Sequence, residues 1–146
     1  MSNHTGHLYL NGLLRLSDAA AESLSKHQVW LSLNGLTSLS DVAAESLSNH
    51  KGDLYLNGLT ELSDAAVESL SKHKGNSLSL DGLTHLSDAA AESLSKYEGH
   101  SLRLNGLTQL SNAAAESLGK LQVSWLHLSG LTEPVSYTHL TLPTKA

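Results

Sequence analysis

The chain contains no cysteine and no phenylalanine, and only two prolines, one methionine, two tryptophans and four tyrosines among its 146 residues. Each scarcity excludes something. Without cysteine there is no disulfide framework and no thiolate metal site. Without phenylalanine, and with a single methionine, leucine must carry the burial that aromatic side chains usually share. Basic residues are also few: nine Lys and Arg stand against fourteen Asp and Glu, a formal net charge of −5. The charges are spread along the chain. They form no basic stripe of the kind a nucleic-acid backbone or an anionic membrane surface selects. No apolar run approaches the ~20 residues of a membrane span, and no basic-then-apolar segment reads as a signal peptide.

What the sequence has in abundance is repetition, the feature that most constrains a fold. The frame Leu-x-Leu recurs at Leu8, Leu31, Leu54, Leu78, Leu102 and Leu126, with spacings of 23, 23, 24, 24 and 24 residues. One copy, residues 54–76, reads LYLNGLTELSDAAVESLSKHKGN. Its first part alternates: Leu54 and Leu56 point one way, Asp53, Tyr55 and Asn57 the other, which is the period of a strand. Asn57-Gly58 marks a turn, with Gly supplying the backbone freedom a tight turn needs. Leu59 and Leu62 carry the chain round it, facing inward. Ser63 or Asp64 then caps a helix, and Ala65, Ala66, Val67 and Leu70 form its apolar stripe. Lys72 and His73 fall at its end, where Gly75 closes it. The helix is about ten residues long and marginal alone, so stacking on its neighbours must stabilise it. Strands of successive units pair in parallel, helices line the other side, and the wider helices curve the stack with its strands on the inside. The expected fold is therefore α/β: a solenoid with a parallel sheet on the concave face and short helices on the convex face.

The unit L-x-L-x-x-[apolar]-x-x-L-S-D-x-x-[A/V]-x-x-L-x-x-H resembles the cysteine-containing subclass of leucine-rich repeats, L-x-L-x-x-C-x-x-I-T-D-x-x-L-x-x-L-x-x-C. Leu36, Leu59, Leu83 and Leu107 stand at the first cysteine position. His27, His50 and His73 stand at the last, followed by Tyr97 and Leu121 in later copies. The wording GLT-x-LSDAAAESLS is similar to short repeats of planctomycete and related bacterial proteins. The resemblance spans residues 1–133 and implies the solenoid fold and an interaction role. It departs in the turn, where leucine replaces a polar residue, so the hydrogen-bonded ladder of that family position does not carry over.

The repeat register breaks at Pro134. The segment Val135–Thr144, VSYTHLTLPT, resembles a translation of the transposase adapter used in sequencing libraries. The expected organisation is a repeat array over residues 1–133, a fragment of a longer one, and a non-native tail over residues 134–146.

Residues that carry chemistry elsewhere recur here from copy to copy, which points to structure. A catalytic serine is needed once; Ser17-Asp18, Ser40-Asp41, Ser63-Asp64 and Ser87-Asp88 are read as caps, because every helix needs one. Glu22, Glu45, Glu68, Glu92 and Glu116 are read as a solvated helix row. His4, His27, His50 and His73 share one position and would stack as a ladder. They are read as helix C-caps rather than metal ligands, since no second ligand type lies in register. No metal site, no cofactor and no enzymatic activity are expected. The outward strand positions differ most between copies. The middle column reads Tyr9, Ser32, Tyr55, Ser79, Arg103, His127; the column before it reads His7, Trp30, Asp53, Ser77, Ser101, Trp125. Exposed aromatics on a sheet mark a contact surface. Tyr9, Trp30, Asp53, Tyr55, Arg103 and His127 are the expected binding residues, for a protein or peptide ligand and neither nucleic acid nor membrane. The alternative is a structural or regulatory repeat segment of a larger multidomain enzyme.

Overall fold

A computed structural model of the chain describes residues 7–26, 30–73 and 75–131. Elements alternate along it: β1 (His7–Tyr9), α1 (Asp18–Ser25), β2 (Trp30–Ser32), α2 (Asp41–Leu47), β3 (Leu54–Tyr55), α3 (Asp64–Leu70), β4 (Ser77–Ser79), α4 (Asp88–Leu94), β5 (Ser101–Arg103), α5 (Asn112–Leu118) and β6 (Trp125–His127). The six strands form one parallel sheet in sequence order. The helices form a parallel row in which each packs on the next. This open, six-stranded α/β arrangement is the expected leucine-rich-repeat-like solenoid. The sequence period sets the register: Leu8 pairs with Leu31, Leu31 with Leu54, Leu54 with Leu78, Leu78 with Leu102, and Leu102 with Leu126.

One continuous core runs through the stack. The two strand leucines of each central copy and the turn leucines Leu36, Leu59, Leu83 and Leu107 are buried, together with Ala66, Val67 and Leu70 of α3 and their equivalents in the other helices. Leu39, Leu62 and Leu86 are only partly buried at its margin. Ala65, expected in the apolar stripe, is exposed, and Val42 at the same position is 55% exposed. The buried stripe is narrower than a full amphipathic face because the helix of only seven residues meets the sheet along two turns. Burial depends on a neighbouring copy. Leu13, in the first described unit, is 38% exposed, whereas its equivalents Leu36 and Leu59 are fully covered.

Ser17, Ser40, Ser63, Ser87 and Ser111 are the N-caps, each accepting the backbone N–H three residues on. The aspartates are first-turn residues, with a different task. Each serine from Ser40 onward donates its hydroxyl to the aspartate of the preceding copy, Ser40 to Asp18, Ser63 to Asp41, Ser87 to Asp64 and Ser111 to Asp88, at 2.5 to 2.6 Å. Caps and aspartates thus interlock successive units while the carboxylates face the positive ends of their own helices.

Two expectations about local structure are corrected. The Asn-Gly glycines do not serve a left-handed backbone; none from Gly12 to Gly130 has a positive φ in that region. They permit close stacking. A Cβ on Gly58 would lie 2.1 Å from the carbonyl oxygen of Asn34, and Gly35, Gly82, Gly106 and Gly130 meet the preceding copy in the same way. The histidine column does not cap helices with its side chains either. The backbone N–H groups of His50, His73 and Tyr97 do bond to the ends of α2, α3 and α4, at Leu47, Leu70 and Leu94. Their rings turn inward and are fully buried, as is Leu121 almost completely. His50 and His73 stack with centroids 6.0 Å apart, and His73 and Tyr97 at 6.3 Å, with the ring planes nearly parallel in both pairs. His73 Nε2 lies 2.9 Å from the Gly52 carbonyl, and the Tyr97 hydroxyl donates to the Gly75 carbonyl at 3.2 Å. The His73 and Tyr97 rings therefore tie themselves to the glycine of the copy before. Gly75 is small for the same reason, since a Cβ there would meet both Gly52 and the His73 ring. His4 and His27 lie outside the described residues, as does the tail over residues 134–146.

A candidate binding face on the open side of the sheet

The strand alternation that sends leucine toward the helices sends the intervening positions to the opposite, open face of the sheet. All six expected binding residues lie there, on two neighbouring columns. They fall into two groups. Tyr9, Trp30 and Tyr55 come together at the β1–β3 end, joined by His7. The Trp30 ring meets His7 edge-on at 4.2 Å, Tyr55 at 5.2 Å and Tyr9 at 6.1 Å between centroids. Tyr9 is 59% exposed, while Trp30 and Tyr55 are half-buried against their neighbours. The indole N–H of Trp30 is tucked in with no hydrogen-bond partner among the described residues. Asp53 precedes β3 beside this cluster, and its carbonyl accepts the N–H of Leu31 in the adjoining strand β2. The Tyr55 phenol is held above its ordinary pKa first by partial burial and then by the Asp53 carboxylate, with Arg103 pulling the other way.

The second group is built around Arg103. Its Nε lies 3.1 Å from Asp81 Oδ2, so this guanidinium is neutralised within the face. His127 pairs with it in register on β6, and Trp125, 40% exposed, flanks the same strand. Small, covered side chains lie among these large ones. Ser32 and Ser79, expected as exposed members of the middle column, are 4% and 0% exposed. Each is a small side chain between large ones, Ser32 between Tyr9 and Tyr55, Ser79 between Tyr55 and Arg103.

Sequence reading missed what ties the edge of this face together. The asparagine that follows each strand is more than a turn signal. Its side-chain carbonyl accepts the N–H of the matching residue in the next copy: Asn11 from Asn34, Asn34 from Asn57, Asn57 from Asp81, and Asn105 from Ser129, all at 2.8 to 2.9 Å. Asp81 fills the same role toward Asn105. Ser32, Ser79 and Ser129 add their hydroxyls to this ladder. A hydrogen-bonded ladder therefore exists, at the asparagine rather than at the turn leucine where the family resemblance would place it. The available signal was the recurrence of Asn, or its isostere Asp, before the turn glycines Gly12, Gly35, Gly58, Gly82 and Gly106.

The helix side offers a different surface. Its clefts repeat from unit to unit and mix charges of both signs, as in the one lined by Glu68, Ser71, Lys72, Ser93, Lys96 and Glu98. No group of three or more His, Cys, Asp or Glu among the described residues is arranged to hold a metal ion. No helix among them is long and apolar enough to cross a membrane. Compared with known proteins, the chain matches no family model and no curated sequence.

Proposed function

We propose that this chain is a leucine-rich-repeat interaction module, of the bacterial short-repeat kind, that binds a protein or peptide along the open face of its sheet. One observation carries the reading: the open-face columns are where large side chains change from copy to copy. Core positions repeat as leucine because packing dictates them. Helix positions repeat because caps and stacking dictate them. Tyr, Trp, Asp and Arg on the open face add little to either, and clustered aromatics on a rigid surface are the usual source of binding energy. A sheet face without a deep cavity favours an extended polypeptide over a small molecule, which needs to be enclosed.

The test is a selection of peptide binders from a displayed random library against the whole chain. Binders should weaken at least about tenfold on Trp30→Ala or Tyr55→Ala, the range of an interface anchor, and be unaffected by Glu68→Ala or Lys72→Ala. Binders that respond only to the helix-face changes overturn the assignment.

A further inference from the structure

We propose that the aromatic end of the open face receives an arginine side chain from an extended, basic partner peptide. The inference rests on the reading of the open face as a binding surface and names what that surface selects. Its ground is the juxtaposition of the Trp30–Tyr55 ring pair with a carboxylate, Asp53, that has no side-chain partner among the described residues.

The charges of the open face do not cancel evenly. Arg103 is engaged by Asp81 at 3.1 Å. The second carboxylate oxygen of Asp81 is occupied by the Asn105 N–H. That end of the face is internally satisfied. Asp53 sits two strands away, beside Trp30 and Tyr55, and only its backbone is bonded. The aromatic end thus carries one uncompensated negative charge next to π-faces. Aromatic rings attract cations over their faces, and a nearby carboxylate adds to that attraction. Guanidinium suits both features better than ammonium: it is planar enough to lie on a ring and presents a fork of donors to a carboxylate. An anionic or purely apolar partner would leave Asp53 buried without compensation, which disfavours it.

Dimensions agree. Tyr9 and Tyr55 are two strands apart, roughly 9.5 Å at the usual strand separation. That is about three residues of extended chain at ~3.3 Å each, so a segment crossing the strands places one side chain over the Trp30 copy between its two flanking tyrosines.

The chain has two tryptophans, so Trp125→Phe leaves Trp30 as the sole indole reporter. The Trp125→Phe chain is titrated with three blocked hexapeptides: arginine alternating with glycine, the same with citrulline for arginine, and the same with glutamate. The arginine peptide should bind about tenfold tighter than the citrulline isostere, the range of a charge-assisted, partly desolvated contact. Asp53→Asn should erase that preference, and so should Asp53→Ser, which installs the residue its column carries at Ser77 and Ser101. Glu68→Gln, on the exposed helix row, should retain it. Equal binding of the citrulline peptide overturns the arginine assignment while leaving the open face as a binding surface. Equal losses on Glu68→Gln and Asp53→Asn also overturn it, because they mean general attraction to an acidic chain. If none of the three peptides moves the Trp30 signal, the arginine assignment falls, and the open-face reading is then decided by the library selection.

Discussion

Replacing Asn57 by alanine tests the ladder that joins the two central strands. Asn57 Oδ1 accepts two hydrogen bonds, from the Ser79 hydroxyl at 2.6 Å and from the Asp81 N–H at 2.9 Å. Ser79 is fully buried, so water cannot replace the lost partner. A typical internal hydrogen bond contributes about 1 kcal/mol net, and a buried donor left unpaired costs about 1–3 kcal/mol. With two donors orphaned, one deeply and one partly buried, the expected loss is about 2–4 kcal/mol. The loss falls on a single junction, between β3 and β4. In a stack held by nearest-neighbour terms, weakening a middle junction lowers cooperativity as well as stability. Urea unfolding followed by circular dichroism should therefore show an earlier midpoint and a shallower transition. Asp81→Asn is the control. It keeps the acceptor for Asn105 and gives up only the half-exposed Arg103 pair, so it should cost no more than about 1 kcal/mol. If Asn57→Ala costs less than about 0.5 kcal/mol, the scale of an ordinary surface change, the ladder does not couple the copies as argued.

Two further perturbations probe the other columns. The His73 imidazole is held at a pKa of about 4, below its ordinary 6.5, by burial first and by the neighbouring His50 next, against a smaller opposing effect of the Gly52 carbonyl. The unfolded chain takes up this proton first. The neutral ring's stabilisation is therefore fully present above pH 6.5, declines as pH falls, and is lost by about pH 4; the linked free energy is about 3 kcal/mol. His73→Tyr, which copies Tyr97, should flatten the stability profile between pH 4 and 6.5 in thermal melts, and an unchanged profile would contradict the buried-ring account. Gly58→Ala should cost about 1–3 kcal/mol, because its Cβ meets backbone oxygen of Asn34 and cannot be relieved by rotating a side chain. Gly12→Ala meets nothing within 4 Å and should be neutral in the same assay. Equal effects at the two glycines would mean that turn flexibility, not stacking distance, explains both.

The fold was legible because its determinants lie within one copy. Leu54 and Leu56 fix the strand face by alternation, Ser63 fixes the helix start by capping chemistry, and repetition fixes the parallel order. What was not legible lies between copies. Gly58 looks like a turn residue when its own copy is read alone; only the carbonyl of Asn34, brought over it by stacking, shows why a side chain is excluded. His73 lies two residues beyond its helix cap Ser71, where neither helical nor strand periodicity says which way a ring points. The ring turns inward because the glycine of the previous copy leaves space and a carbonyl to receive it. Ser79 has the parity of an exposed residue and none of the exposure, since Tyr55 and Arg103 shade it from either side. The positions of the binding-face residues were readable by parity, but the pairing of Arg103 with Asp81 was not, because it spans 22 residues of sequence.

These inter-copy contacts explain how one sequence repeats almost verbatim yet leaves a face free to differ. The junctions are tied at separate levels: serine to aspartate at the helix starts and asparagine or aspartate to backbone N–H after the strands, with ring to glycine carbonyl added at the two junctions of His73 and Tyr97. The first two use residues that look backward or forward by one copy, so they recur along the stack. The middle of the open face is different. Tyr9, Ser32, Tyr55, Ser79, Arg103 and His127 occupy one column with four residue types between them, and the strands beneath stay in register regardless. The backbone there is already held by the ladder on one side and the leucine core on the other. Chemistry can change on that column at little structural cost. That freedom, shared by the neighbouring column from His7 to Trp125, is the ground for the proposal that a partner is specified on the open face.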